Sequence, residues 1–198
     1  MLKPRTRPPA RYRPRTVFLT DGRRVTLRAI LEADAAEIVQ AFERLSADSR
    51  YLRFMQHKRA IDAAVLHRGV RPIPGEEGVF VATVPAADGI DIVGAARFVR
   101  SASNVGDARD ICEFAITVAE AWRGSGLATE LLRSLVRRAR HDGYRIIEGF
   151  VLAENRPMLA LARRLHFEIA PQPGDATTLR VWRSLRPERR LSARRTAR

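Results

Sequence analysis

One cysteine, Cys112, stands among 198 residues. An internal disulfide is therefore excluded, and with it a disulfide-stapled scaffold or a Cys-built zinc site. The four histidines, His57, His67, His141 and His166, have no metal-ligand spacing, so no metal is expected. No apolar run approaches the ~18 residues a membrane helix needs. Met1-Leu2-Lys3-Pro4-Arg5 carries charge with no apolar stretch behind it, so no secretory signal is expected and the expected location is cytoplasmic. Aromatic residues are few, at 7%. Trp122 and Trp182 are expected in packing rather than as stacking platforms for bases.

Acidic residues are also scarce, 22 against 36 basic ones, giving a net charge of +14. The excess belongs to the ends. Residues 1–16 hold six basic residues and no acidic one; residues 183–198 hold seven Arg and one Glu. The chain between them is nearly neutral. The ends are poor in large apolar residues, so a mobile basic tail is expected over 1–16 and another over 186–198, flanking one domain over 17–185. Such tails serve solubility, or make a weak nucleic-acid contact. The rest, at 45% hydrophobic and 29% charged overall, has an ordinary globular composition.

What is present reads as a mixed α/β chain without repeats. β-formers flank Asp21-Gly22 as a hairpin. Asp34 and Glu37 suggest a helix cap and its partner. Ile38, Val39, Phe42 and Leu45 then share a helical face. Ser46 to Ser49 breaks that helix and caps a second one with Tyr51, Leu52 and Met55. Ile61 to Leu66 is a third. Strand patterns follow at 79–84, 92–99 and 111–118. An amphipathic helix runs from Gly124 to Asp142-Gly143. A strand over 144–151, a helix capped by Asn155 and a closing strand over 177–185 complete the order. Short loops imply antiparallel pairing. The strand-helix-strand unit over 111–151 implies a parallel crossover.

Val118 to Thr129 carries the chemistry. Gly124 and Gly126 precede the long helix, where the backbone can approach a ligand without a Cβ. The first-turn N–H groups then face an anion. A P-loop would need Lys-Ser/Thr after the second glycine, where Leu127-Ala128 stands. A dinucleotide turn belongs on the first strand of a long alternating fold, which the strands preceding this loop do not allow.

Arg123-Gly124-Ser125-Gly126-Leu127-Ala128 resembles the central motif of the GNAT acetyltransferase family, Arg/Gln-x-x-Gly-x-Gly/Ala, with the apolar strand residue before it at Val118. Asn155 and Phe167 match the family's later helix element, with His166 in place of its glycine. Leu45 to Phe54 and Cys112-Glu113-Phe114-Ala115 resemble segments of bacterial protein-lysine acetyltransferases. The resemblance implies a mostly antiparallel, splayed sheet flanked by helices and an acetyl-CoA site. Backbone groups of Ile116 and Val118 would pair with the pantetheine arm. The N–H groups of Gly124, Ser125, Gly126, Leu127, Ala128 and Thr129 would hold the pyrophosphate, with charge from Arg123; Asn155 belongs to the same site. A backbone N–H near Ile116 or Thr117 would polarise the thioester carbonyl.

An amine must lose a proton before attack, and Glu113, on the strand feeding the loop, is the candidate base. The competing reading puts it on the strand's other face, because side chains alternate. Glu120 is expected in a solvated loop. The family's frequent general-acid Tyr would fall at Ala162. The expected function is acetyl transfer from acetyl-CoA to an amine, a small molecule or a protein lysine. A non-catalytic acetyl-CoA-binding module and a nucleic-acid-associated protein remain as alternatives.

Overall fold

The computed structural model describes residues 12–103 and 110–185. Asp21-Gly22 turns the chain as its sequence dictates, with Gly22 at φ 83°. The strands it joins, β1 (Arg15–Phe18) and β2 (Arg24–Ala29), pair antiparallel, Val17 opposite Val25. Three helices follow: α1 (Ala35–Glu43), α2 (Ala47–Phe54) and α3 (Ala63–Gly69). Ser46 caps α2 by accepting from Ser49 N at 3.1 Å. Then come β3 (Glu77–Ala86), β4 (Gly89–Arg100) and β5 (Ile111–Val118). The long helix α4 is Leu127–His141. The chain ends with β6 (Ile146–Leu152), α5 (Arg156–Arg164), β7 (Glu168–Gln172) and β8 (Asp175–Ser184).

The eight strands form one sheet in the order β1-β2-β3-β4-β5-β6-β8-β7. Every pairing is antiparallel except β5 with β6, the crossover that α4 makes. Strand alternation divides the side chains between two cores. Phe80, Ala96, Phe98, Cys112 and Phe114 pack with Leu127, Leu131, Leu132 and Leu135 of α4. Val79, Val81, Ile30 and Val70 pack with Ile38 and Leu66 on the opposite face, under α1 and α3.

Two expectations change, and one strand was not foreseen. Asp34 does not cap α1. It sits in a 3-10 turn, where both its oxygens take Arg28 at 2.7 Å and one takes Leu31 N at 2.8 Å. A nearly buried guanidinium is a better partner for a carboxylate than a helix N–H. Glu37 turns instead to Arg44 and the Ile92 amide. β7 has no strand signature, because it is five residues long, carries Pro171 and lies at the sheet edge, where proline is tolerated. Finally, residues 12–16, assigned above to the N-terminal tail, belong to the fold. Tyr12 packs edge-on against Phe80, and Arg15 opens β1 and pairs with Glu130 at 2.9 Å. Residues 1–11 and 186–198, which hold the remaining basic tails, lie outside the described residues.

Gly149 of β6 lies against Phe114 of β5. A Cβ there would stand 2.9 Å from the Phe114 ring and 3.1 Å from its carbonyl oxygen. Backbone cannot yield as a side chain can. Gly149→Ala is therefore expected to cost about 1–3 kcal/mol by overpacking, read as a lower denaturation midpoint. An unchanged midpoint would mean that the strands part more easily than this contact implies.

Candidate active site

The sheet opens between β5 and β6. Their parallel register holds only for Ile111, Cys112 and Glu113 against Ile146, Ile147 and Glu148. Beyond that point β6 stays with β8 up to Leu152, while β5 stays with β4 up to Val118. The free edge of β5 can be assigned residue by residue. Ala119 N donates to Val93 O and Ser101 N to Ile111 O, so the odd-numbered residues of β5 turn their backbone groups toward β4. The even-numbered ones, including Ile116 and Val118, turn theirs toward the gap. Thr117, paired with Ala95, is spent on β4. Of the two amides considered for polarising a carbonyl, only that of Ile116 faces the opening.

The loop that follows delivers the chain into α4. Gly124 and Gly126 have φ of 75° and 87°, a left-handed conformation that glycine adopts without a Cβ clash. Nothing lies within 4 Å of where a Gly124 Cβ would be. Ser125 turns inward and is buried. Its carbonyl takes both Thr20 N and Thr20 Oγ1, at 3.0 and 2.9 Å, which ties the loop to the β1–β2 hairpin. Its hydroxyl donates to Trp122 O at 2.6 Å and accepts from Leu127 N at 3.3 Å. Leu127 thus departs from the expected set of ligand-facing amides. Among the described residues, the N–H groups of Gly124, Ser125, Gly126, Ala128 and Thr129 have no hydrogen-bond partner. Five free donors at the positive end of a fifteen-residue helix suit an anion.

Glu120 is not the solvated loop residue expected. It accepts from Ser49 Oγ and from Ser46 N, the cap residues of α2, and Arg123 donates to Ser49 Oγ at 2.5 Å. This knot fastens α2 to the loop, and it fixes the Arg123 guanidinium on Ser49 and Glu120. Despite some desolvation, those hydrogen bonds hold the Glu120 carboxyl down at about 2. Because the folded value lies below the unfolded one, this contribution is present above ~4.5 and is lost as pH falls toward about 2. Glu120→Gln is expected to lower stability by about 1 kcal/mol at pH 7, small because the side chain is partly exposed. The gap in melting temperature should close below pH 4; a gap independent of pH would assign it to packing.

On the opposite face of the sheet lie the odd-numbered side chains of β5: Glu113, Ala115 and Thr117. The register has no bulge, so Glu113 falls on the face away from α4. Its neighbour across β6, Glu148, is buried and bound to Arg180 at 2.5 Å. Glu113 itself reaches solvent and makes no hydrogen bond or close ion pair among the described residues. Desolvation, then the Glu148 charge, raises its pKa above the ordinary carboxylate value, against the pull of Arg53 and Arg97. Beside it, Ala115 and Thr117 line a cavity of about 130 Å³ between the sheet and α1–α3.

Cys112 points into the core and is fully buried. Burial, then the charges of Glu148 and Asp142, push its thiol far up, so it has no nucleophilic role. Asn155 caps α5 by accepting from Met158 N at 3.2 Å. Ala162 is packed in the core, leaving no side-chain acid there. Of the two tryptophans, Trp122 lies under Arg23 at 4.0 Å and Trp182 under Arg180 at 5.1 Å. The described residues contain no cluster of metal-ligating side chains and no helix long and apolar enough to cross a membrane. Sequence reading missed the Ser49–Glu120–Arg123 knot and the inward role of Ser125. The Ser46/Ser49 cap spacing was visible, but its partner lies 71 residues along the chain.

The acetyltransferase (GNAT) domain matches residues 24–168. An acetyltransferase of Pseudomonas aeruginosa is 31% identical over 159 residues, spanning 80% of this chain and 83% of that protein. The GNAT domain of the Streptomyces lividans PAT superposes with a TM-score of 0.79 at 24% identity, over 86% of this chain and 96% of that one. A Salmonella typhimurium protein, yncA, solved with its cofactor acetyl-CoA, gives 0.65 at 20% identity over 85% and 98%. The chain belongs to the GNAT acetyltransferases, an enzyme family that uses acetyl-CoA.

Proposed function

We propose that the chain transfers an acetyl group from acetyl-CoA to an amine by direct attack, with Glu113 as general base. One juxtaposition carries this reading: the opened edge of β5 has a loop of free amides at its mouth and an unpaired carboxylate beside a cavity on its far face. Bound acetyl-CoA supplies the activated acetyl group and a thiolate leaving group.

The N–H groups of Gly124, Ser125, Gly126, Ala128 and Thr129 hold the diphosphate, and Arg123 adds positive charge from the side. The backbone groups of Ile116 and Val118 pair with the pantetheine arm as a strand edge would. Asn155 contributes from the N-terminus of α5, where its amide nitrogen is left over by the cap. The Ile116 N–H stabilises the negative charge that grows on the carbonyl oxygen. An alkyl ammonium, with a pKa near ~10.4, is almost fully protonated at neutral pH. Glu113 takes that proton, and its raised pKa makes it the stronger base for the task. A thiol has a pKa near ~8.5, so the leaving thiolate needs little help, and water protonates it in place of the tyrosine absent at position 162.

The acceptor is a small molecule or a protein lysine; the likeness of residues 45–54 and 112–115 to protein-lysine acetyltransferases is what brings the second into consideration. Calorimetry with acetyl-CoA, followed by CoA release with a panel of amines and peptides, tests the reading. Micromolar binding with amine-dependent release is expected. Binding without release from any acceptor would make the protein a sensing module. No binding at millimolar ligand would remove the loop assignment. The charge of the two ends supports a separate, weak nucleic-acid contact. Salt-dependent binding lost on trimming residues 1–11 and 186–198 is its expected signature.

A further inference from the structure

The cavity beneath α1–α3 carries a charge imbalance that an amine-acetylating site does not by itself require. Its walls are apolar: Ile30, Ile38, Leu66, Val70 and Val79. Three cations stand among them, Arg53, Lys58 and Arg97. Arg97 is matched by Glu77 at 3.6 Å. The one carboxylate of the lining, Asp62, caps α3, where its Oδ1 accepts from Ala64 N and Val65 N, and among the described residues it makes no ion pair with these cations. That leaves Arg53 and Lys58. Both cations lie over the Phe54 ring, at 4.8 and 5.5 Å, and among the described residues neither makes a hydrogen bond or an ion pair.

A half-buried guanidinium that faces apolar walls and makes no ion pair is costly unless a ligand supplies an anion. Desolvation, then the like charge of Arg97, lowers the Arg53 pKa to about 10, while the Glu113 charge works in the other direction. Arg53 lines the cavity, and Glu113, close enough for its charge to act on Arg53, stands on the same face of β5 two residues before the lining residue Ala115: a cation to receive an anion and a base to receive a proton.

We infer that this cavity is the acceptor pocket and that its acceptor is a small amino acid, the carboxylate on Arg53 and Lys58, the amine toward Glu113 and an apolar side chain against Ile30, Ile38 and Val79. This rests on the acetyl-transfer reading and names its substrate class. A volume of about 130 Å³ holds a few waters, hence a side chain of a few heavy atoms. A lysine side chain of a protein brings no carboxylate of its own to the two cations. The atoms balance: the ammonium gives one proton to Glu113, its nitrogen bonds to the acetyl carbon as the carbon–sulfur bond breaks, and the nitrogen's second proton passes to water while water protonates the sulfur, so that CoA leaves as its thiol.

The test uses the full chain with leucine, leucine methyl ester, the decarboxylated amine isoamylamine and a lysine-containing peptide. CoA release is measured for each, and acetyl-CoA affinity is measured separately by calorimetry. Leucine is expected to exceed its ester and isoamylamine in kcat/KM at least tenfold. Arg53→Met should erase that preference by raising KM for leucine tenfold or more, with acetyl-CoA affinity unchanged; Arg53→Lys should restore part of it. Leucine should also raise the melting temperature of the wild-type protein with CoA bound, a readout that needs no turnover. Equal rates on leucine and its uncharged analogues, a preference for the peptide, or no thermal shift with leucine would overturn the inference. Loss of acetyl-CoA binding in the wild-type protein would instead strike the loop assignment on which it rests.

Discussion

Glu113→Gln is expected to lower kcat by about 10²–10⁴-fold while acetyl-CoA affinity stays within about twofold. The size of the effect depends on pH, and its direction can be worked out. In the wild-type protein the base form is lost as pH falls through the raised pKa of Glu113, so the acid limb of the rate profile lies above the range of an ordinary carboxylate. In the variant only amine already deprotonated in solution can react, so the rate climbs with pH toward the amine pKa near ~10.4. The ratio of the two rates should therefore be largest near neutrality and shrink as pH approaches 10. A ratio that stays flat over that range would remove Glu113 as the base. Stability supplies the control. A carboxyl whose folded pKa is raised destabilises the fold above that pKa, because its charged form is held in poorer surroundings than in the unfolded chain. The glutamine variant should be no less stable than wild type at pH 7. A large drop in melting temperature would assign the activity loss to unfolding.

Gly126→Glu is expected to weaken acetyl-CoA binding at least 100-fold, about 2.7 kcal/mol. Three effects add in one direction. The residue has φ 87°, where an L side chain is strained. Its Cβ would stand 3.3 Å from Thr20 Cγ2, so the hairpin contact must give by a few tenths of an ångström. The new carboxylate would face the five amides and repel the diphosphate they are placed to hold. Gly126→Ala separates these effects, since it brings the strain and the contact without the charge. The alanine variant should lose affinity modestly and the glutamate variant far more. If both bind acetyl-CoA as well as wild type in calorimetry, the anion is held elsewhere.

Much of this site was legible in the linear order of residues. The two glycines before an amphipathic stretch specify a tight turn into a helix, because few other residues accept that backbone. The Asp21-Gly22 hairpin, the Ser46 cap and the Asn155 cap were readable for the same reason: each is a local contest between a short side chain and its neighbouring amides. Asp34 shows where such reading stops. Its cap signature is sound as a local pattern, but Arg28, six residues back on β2, wins the carboxylate. Ser125 shows the same limit. Its place in the motif suggested a ligand-facing amide alone, whereas its hydroxyl and carbonyl fasten the loop to Trp122 and Thr20.

Residue order was enough for the elements up to α5, the turn before α4 and the residue types able to grip an acyl carrier, since these rest on backbone conformations that extend over only a few positions. Only the packed chain decides which face of β5 Glu113 occupies, which amide of that strand looks into the gap, and that Arg53 borders a cavity with no carboxylate bound to it. Those outcomes turn on strand register and on the parting of β5 from β6, where a shift of one residue would move every side chain to the opposite face.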